Sequence, residues 1–200
     1  MMLLNPYRFA ASGGGGTLTW DAATVSSPLA LSAGDTRLEL PTGNSAIAQT
    51  ARSTPAMASG KWYWEIVVVD VLSGSTTTTG CGVCDSAHPS GSANLAGGTN
   101  ANSVGYWCSG NLYNNAGLFN TAAAWGDGAT LMFALDIAAG KFWVGKDGVW
   151  FNSGDPAVGT DATHTGLSTS ATYYAAASPW SSLGETVKLD LVASPAYTVP

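Results

Sequence analysis

The chain has 200 residues, only 10% of them charged, and a net charge of −6, which suits one domain of unusual surface chemistry. Its seven cations are scattered from Arg8 to Lys188, so the clustered Lys and Arg that grip a phosphate backbone are missing and nucleic acid is excluded as a partner. Long amphipathic helices are excluded as well, because their surfaces need Lys, Glu, Arg and Leu, whereas this chain is rich in Gly, Ala, Ser and Thr.

In chain order, residues 1–16 read as an arm. Leu3, Leu4, Pro6, Tyr7 and Phe9 form a sticky peptide, and Gly13 to Gly16 form a flexible hinge. Disordered tails are seldom this aromatic, so a docking peptide is expected, with a plain disordered terminus as the alternative. The apolar run Met1 to Leu4 is too short for a signal peptide and no basic region precedes it. Residues 17–200 then read as one β-domain. Thr17 to Trp20, Leu29 to Leu31, Arg37 to Leu40 and Ile47 to Gln49 are predicted strands, punctuated by Gly34-Asp35 and Gly43-Asn44.

Lys61 to Leu72 is the strongest strand. Trp62, Trp64, Ile66 and Val68 share one face, Tyr63, Glu65, Val67 and Val69 the other, so a central strand buried on both sides is expected. Its apolar stretch is far below the roughly 20 residues that span a bilayer, and no membrane insertion is expected. Gly80 to Cys84 is a short strand, followed by a polar loop from Asp85 to Asn102. Ser103 to Cys108 and Asn111 to Tyr113 flank a Ser109-Gly110 turn. Thr130 to Ile137 alternates cleanly, and Gly140 to Gly145 and Val149 to Phe151 flank Asp147-Gly148, the best hairpin signal in the chain. Thr172 to Ser178 and Thr186 to Val192 complete an all-β sandwich of about twelve short strands.

Several of these segments together resemble the SPRY (B30.2-like) domains. The matching pieces are Gly60-Lys61-Trp62-Tyr63-Trp64-Glu65, Gly80-Cys81-Gly82-Val83, Val104-Gly105-Tyr106 with Ser109-Gly110-Asn111, and Gly126-Asp127-Gly128. Then come Phe133-Ala134-Leu135-Asp136, Gly140-Lys141-Phe142-Trp143 and Lys146-Asp147-Gly148-Val149-Trp150, so the likeness covers roughly residues 55–192. The version here looks most like the SPRY-like proteins of tailed phages and prophages, in the opening peptide Asn5-Pro6-Tyr7-Arg8-Phe9 and in Ser153-Gly154-Asp155-Pro156. The resemblance implies a bent sandwich of two antiparallel sheets, no catalysis, and recognition of protein or glycan through loops at one edge. Cys84, Cys108 and the lack of charged loop residues depart from the family pattern, so no peptide-ligand site is carried over.

Cys81-x-x-Cys84 with His88 and Cys108 has a zinc-like spacing, but residues three apart on a strand point to opposite faces, so buried cysteines and no metal are expected. His88 and His164 lie in polar loops without a nucleophile elbow. A glycosidase pair would come from Glu39, Glu65, Asp70, Asp85, Asp127, Asp136 and Asp147; Glu65 is read instead as a structural group, paired for instance with Lys141. Trp62, Trp64 and Trp143 are read as core. Trp107, Tyr113, Trp125 and Trp180 lie near strand ends and are the candidates for stacking on a sugar or anchoring a protein. The resulting expectation is a non-enzymatic, cofactor-free bacteriophage virion protein of tail fibre, tail tip or head surface. It would be made in the host cytoplasm, be homo-oligomeric, dock on other virion proteins through its arm, and face a host-surface glycan or protein. The alternatives are a lectin or glycan-active enzyme on the same fold, or an intracellular interaction module.

Overall fold

The computed structural model describes residues 18–43, 49–71, 79–89, 100–180 and 186–192. Over these residues the chain is two antiparallel sheets packed face to face, with two single-turn 3-10 helices at Ala22–Thr24 and Phe151–Ser153. Strands are numbered along the chain. The first sheet holds β1 (Thr19–Trp20), β4 (Ala51–Thr54), β6 (Gly80–Asp85), β7 (Val104–Trp107), β8 (Asn111–Asn114), β9 (Gly117–Thr121) and β14 (Tyr173–Ser178), in the spatial order β1-β4-β14-β6-β7-β8-β9. The second holds β2 (Ala30–Ser32), β3 (Arg37–Leu40), β5 (Lys61–Asp70), β10 (Thr130–Asp136), β11 (Lys141–Lys146), β12 (Val149–Trp150), β13 (His164–Thr165) and β15 (Val187–Leu191). Its order is β12-β11-β10-β5-β15-β3-β2, with β13 pairing β11.

The inner faces follow from period-two alternation. Trp62, Trp64, Ile66 and Val68 of β5 lie beside Leu131, Phe133 and Leu135 of β10, all buried in one cluster. Trp64 stacks on Phe133 with centroids 5.5 Å apart, and Phe133 on Phe142 at 5.9 Å, pairs worth about 0.5–1.5 kcal/mol each beyond burial. The first sheet adds both small side chains, Ala51, Cys81, Val83, Ala175 and Ala177, and large ones, Trp20, Tyr106 and Tyr173, to the same cluster.

The second sheet also buries its outer face, as the two-sided apolar pattern of β5 predicts. Met132, Ala134, Trp143 and Trp150 form a second core there, flanked by Tyr63 and Ala162. Residues 151–163 return across it. Trp143 Nε1 donates to the Thr160 carbonyl at 2.8 Å, Lys141 Nζ to the Gly159 carbonyl at 2.7 Å, and the Val144 amide to Thr163 Oγ1 at 2.9 Å. Gly154 is a glycine for want of space: a Cβ there would sit 2.9 Å from Trp143 Cδ1 and 3.0 Å from the Asp161 carbonyl oxygen.

Fifteen strands lie among the described residues, more than the sequence pattern suggests. Of the predicted strand Ile47 to Gln49, residues 47 and 48 lie outside the described residues, Gln49 is in no strand, and β4 begins at Ala51. Its inward residues, Ala51 and Ser53, are too small to show in a hydrophobic pattern. β9 was not predicted either, because its hairpin turns on Asn115-Ala116, both at positive φ (49° and 60°), where Asn-Gly is the usual signal. The Asp147-Gly148 turn is as expected, at φ 50° and 85°. Residues 1–16, including Leu3, Leu4, Pro6, Tyr7 and Phe9, lie outside the described residues.

Candidate binding face

Alternation on β7 and β8 sends Val104, Tyr106 and Leu112 into the core, which leaves Trp107, Asn111 and Tyr113 on the outer face of the first sheet. Trp107 and Tyr113 come together there, ring centroids 4.8 Å apart at 39°. β9 pairs Leu118 with Tyr113, which puts Leu118 on the same face, 55% exposed. Beside it Phe119 meets the His164 ring edge-on at 5.1 Å. Between Ser86 and Gly126 the sequence contains no Lys, Arg, Asp or Glu, so β7, β8 and β9 carry no charged side chain.

Trp107 is held from below. It opposes Gly80 across the β6–β7 pair, and a Cβ on Gly80 would lie 3.1 Å from its Cδ1, so the indole rests on bare backbone. Its Nε1 is buried without a hydrogen-bond partner among the described residues. Trp107 therefore offers ring surface rather than a donor. Trp180 is half-buried at the same end of the sheet, its amide on Thr79 Oγ1 at 3.1 Å, while the Thr79 carbonyl accepts from the Cys108 amide at 3.0 Å. Trp125, expected at the surface, is instead 5% exposed and packs edge-on against Tyr106 at 6.0 Å. The reason is the return of residues 122–124 over the sandwich end, where the Tyr106 hydroxyl donates to the Ala123 carbonyl.

Sequence reasoning named Asp85 as a candidate carboxylate but missed its role as a densely bonded clamp. Asp85, buried at the end of β6, accepts from the amides of Ala87 and His88, both at 3.0 Å, and from Asn100 Nδ2 at 2.8 Å and Asn102 Nδ2 at 3.0 Å. Asn102 Oδ1 in turn accepts from the Ser168 amide at 2.9 Å. Burial and then Asp85 push the neighbouring Tyr173 hydroxyl up to about 12. The only sequence signal was an Asp closing a strand before a polar loop.

The other candidates are committed to the scaffold. Cys81 lies in the main core and Cys84 on the opposite face with Ala176, so the two thiols diverge as the strand period requires. Burial raises both, Cys84 to about 12. The Tyr63 hydroxyl donates to Glu65, while Lys141 is used on Gly159. Asp127, Asp136 and Asp147 accept from the amides of Val71, Ala139 and Thr130, the turn work of carboxylates rather than a facing pair.

No protein-family model matches this sequence, and no curated protein matches it. Solved structures match its shape. The SPRY domain of human HERC1 superposes with a TM-score of 0.65 at 19% identity, over 86% of this chain and 96% of that one. The TRIM65 PSpry domain gives 0.60 at 16% identity, over 88% and 90%. Stonustoxin gives 0.55 at 20% identity, over 88% of this chain and 27% of that one. The fold is therefore the SPRY-type bent β-sandwich, as the motif run from Gly60 to Trp150 implies.

Proposed function

We propose that this chain works by contact, as a non-enzymatic bacteriophage virion protein. It docks on other virion proteins through residues 1–16 and presents its sandwich, on head or tail, to a host-surface protein or glycan. One observation carries the contact reading: strands β7 to β9, which have no charged side chain, bear Trp107, Tyr113 and Leu118 on one outer face, while Asp85, Cys81 and Cys84 are occupied in the scaffold. A flat aromatic pair suits a sugar ring or an apolar protein surface equally. The virion reading rests on two sequence features. Ser153 to Pro156 has a packing reason in Gly154 beneath Trp143, whereas Asn5 to Phe9 lies outside the described residues and supports the reading by its sequence alone.

The test deletes residues 1–12 and measures incorporation into particles by mass spectrometry of purified virions. Strong loss of incorporation with an unchanged melting temperature is expected. Undiminished incorporation overturns the arm's role, and absence of the intact chain from particles overturns the virion reading.

A further inference from the structure

An edge strand is laddered on one side only, so its position depends on what its side chains find beyond the ladder. β9 is such a strand: β8 pairs with it, and it has no partner on its outer side among the described residues. A bulge interrupts its ladder. Leu112 faces Asn120 and Tyr113 faces Leu118, which leaves Phe119 as the extra residue outside the pairing. The Phe119 ring meets His164 edge-on at 5.1 Å, and His164 belongs to β13 of the second sheet. The contact therefore bridges the two layers. It also joins two lightly held elements, because β13 is itself a two-residue strand on β11.

His164 is half-buried, and burial lowers its pKa below the usual 6.5, so the imidazole packs there in its neutral form. Its surroundings offer no compensation for a proton. Phe142 stands opposite on β11, and the neighbouring Lys141 uses its Nζ on the Gly159 carbonyl at 2.7 Å. Gly117 to Thr121 of β9 has no titratable side chain. Asp161 lies three residues before His164, yet burial alone sets the direction of the shift.

We propose that Phe119 and His164 form a proton-operated latch on the candidate binding face. With His164 neutral, β9 is held against the second sheet and Leu118 stays beside Tyr113. Protonation draws the imidazole towards water, releases Phe119 and loosens the strand that carries Leu118. A released ring takes up its proton near pH 6.5 and a packed ring only at lower pH, so acid favours release by the ratio of those two affinities. That acid loosens a binding face rests on the contact reading above; the latch itself rests on the ring contact and the bulge.

Nuclear magnetic resonance of the full chain, titrated from about pH 8 to 5, tests it without a ligand. His164 should titrate below 6.5, and the amides of Tyr113 and Leu118 should shift with the same midpoint. Hydrogen exchange in β9, relative to β6, should quicken about threefold or more once that midpoint is passed. Phe119→Ala should raise the His164 midpoint towards 6.5. His164→Gln should abolish the shared transition, which separates it from any titration of His88. His164→Phe keeps a ring against Phe119 without a titrating group, and should leave the edge protected across the whole range. The latch is overturned by a Leu118 transition that persists in His164→Gln, by a His164 midpoint indifferent to Phe119→Ala, or by an edge that still loosens in acid in His164→Phe. Failure of the binding face shows separately, as host-cell binding that survives Trp107→Ala.

Discussion

Each sheet places tryptophan on its outer face, and the two faces meet different fates. On the second sheet the chain returns over Trp143, supplies the Thr160 carbonyl for its indole nitrogen, and makes room with Gly154. On the first sheet Trp107 rests on Gly80 and Tyr113 with its nitrogen unpaired among the described residues, and the neighbouring strand shows Leu118 and Phe119 to solvent. An outward tryptophan is thus no marker of a binding face by itself. What decides is whether the same chain comes back to cover it.

The sharpest way to break this contrast is to remove the two rings in turn. Trp143→Ala should cost about 3–5 kcal/mol in urea unfolding, since it empties a buried core position and orphans a carbonyl. Gly154→Ala should cost about 1–3 kcal/mol by forcing a methyl against Trp143 and the Asp161 carbonyl, again without touching the first sheet. Trp107→Ala should cost less than either, about 1 kcal/mol, while abolishing binding to host cells or glycans. If its unfolding midpoint falls as far as that of Trp143→Ala, the two faces are alike and the contrast fails.

The smallest effect concerns pH. Burial lowers the His164 pKa below its usual 6.5. A group depressed in the folded state binds more protons unfolded, so its contribution is complete above about pH 6.5 and is lost as pH falls towards the folded value. Melting curves between pH 5 and 8 should show a shallow decline below about 6.5. His164→Gln should flatten it; an unaltered slope would place the titrating group elsewhere.

The legible parts of this molecule were those where large side chains alternate. β5, β10 and the β11–β12 hairpin announce themselves through Trp62, Trp64, Phe133 and Asp147-Gly148, and these are where the SPRY-type motifs fall. β4 and β9 were hidden, one because its inward residues are Ala51 and Ser53, the other because an Asn-Ala turn imitates a loop. Trp107 and Tyr113 were legible as single candidates since both sit on short strands beside a glycine turn, but their pairing was not. Trp125 was not, because Ala122 to Ala124 carries no period from which a facing could be read. Nor was the Asp85 cluster, whose members Asn100, Asn102 and Ser168 are gathered by folding alone.

That carboxylate has an architectural consequence. By grasping Ala87 and His88 on one side and Asn100 and Asn102 on the other, Asp85 ties both feet of the intervening span to a single post. Once the feet are clamped, each doubling of the span between them adds only about 0.6 kcal/mol of closure entropy. New sequence can therefore be spliced into that span, by selection or by an engineer, while the layers beneath keep their register.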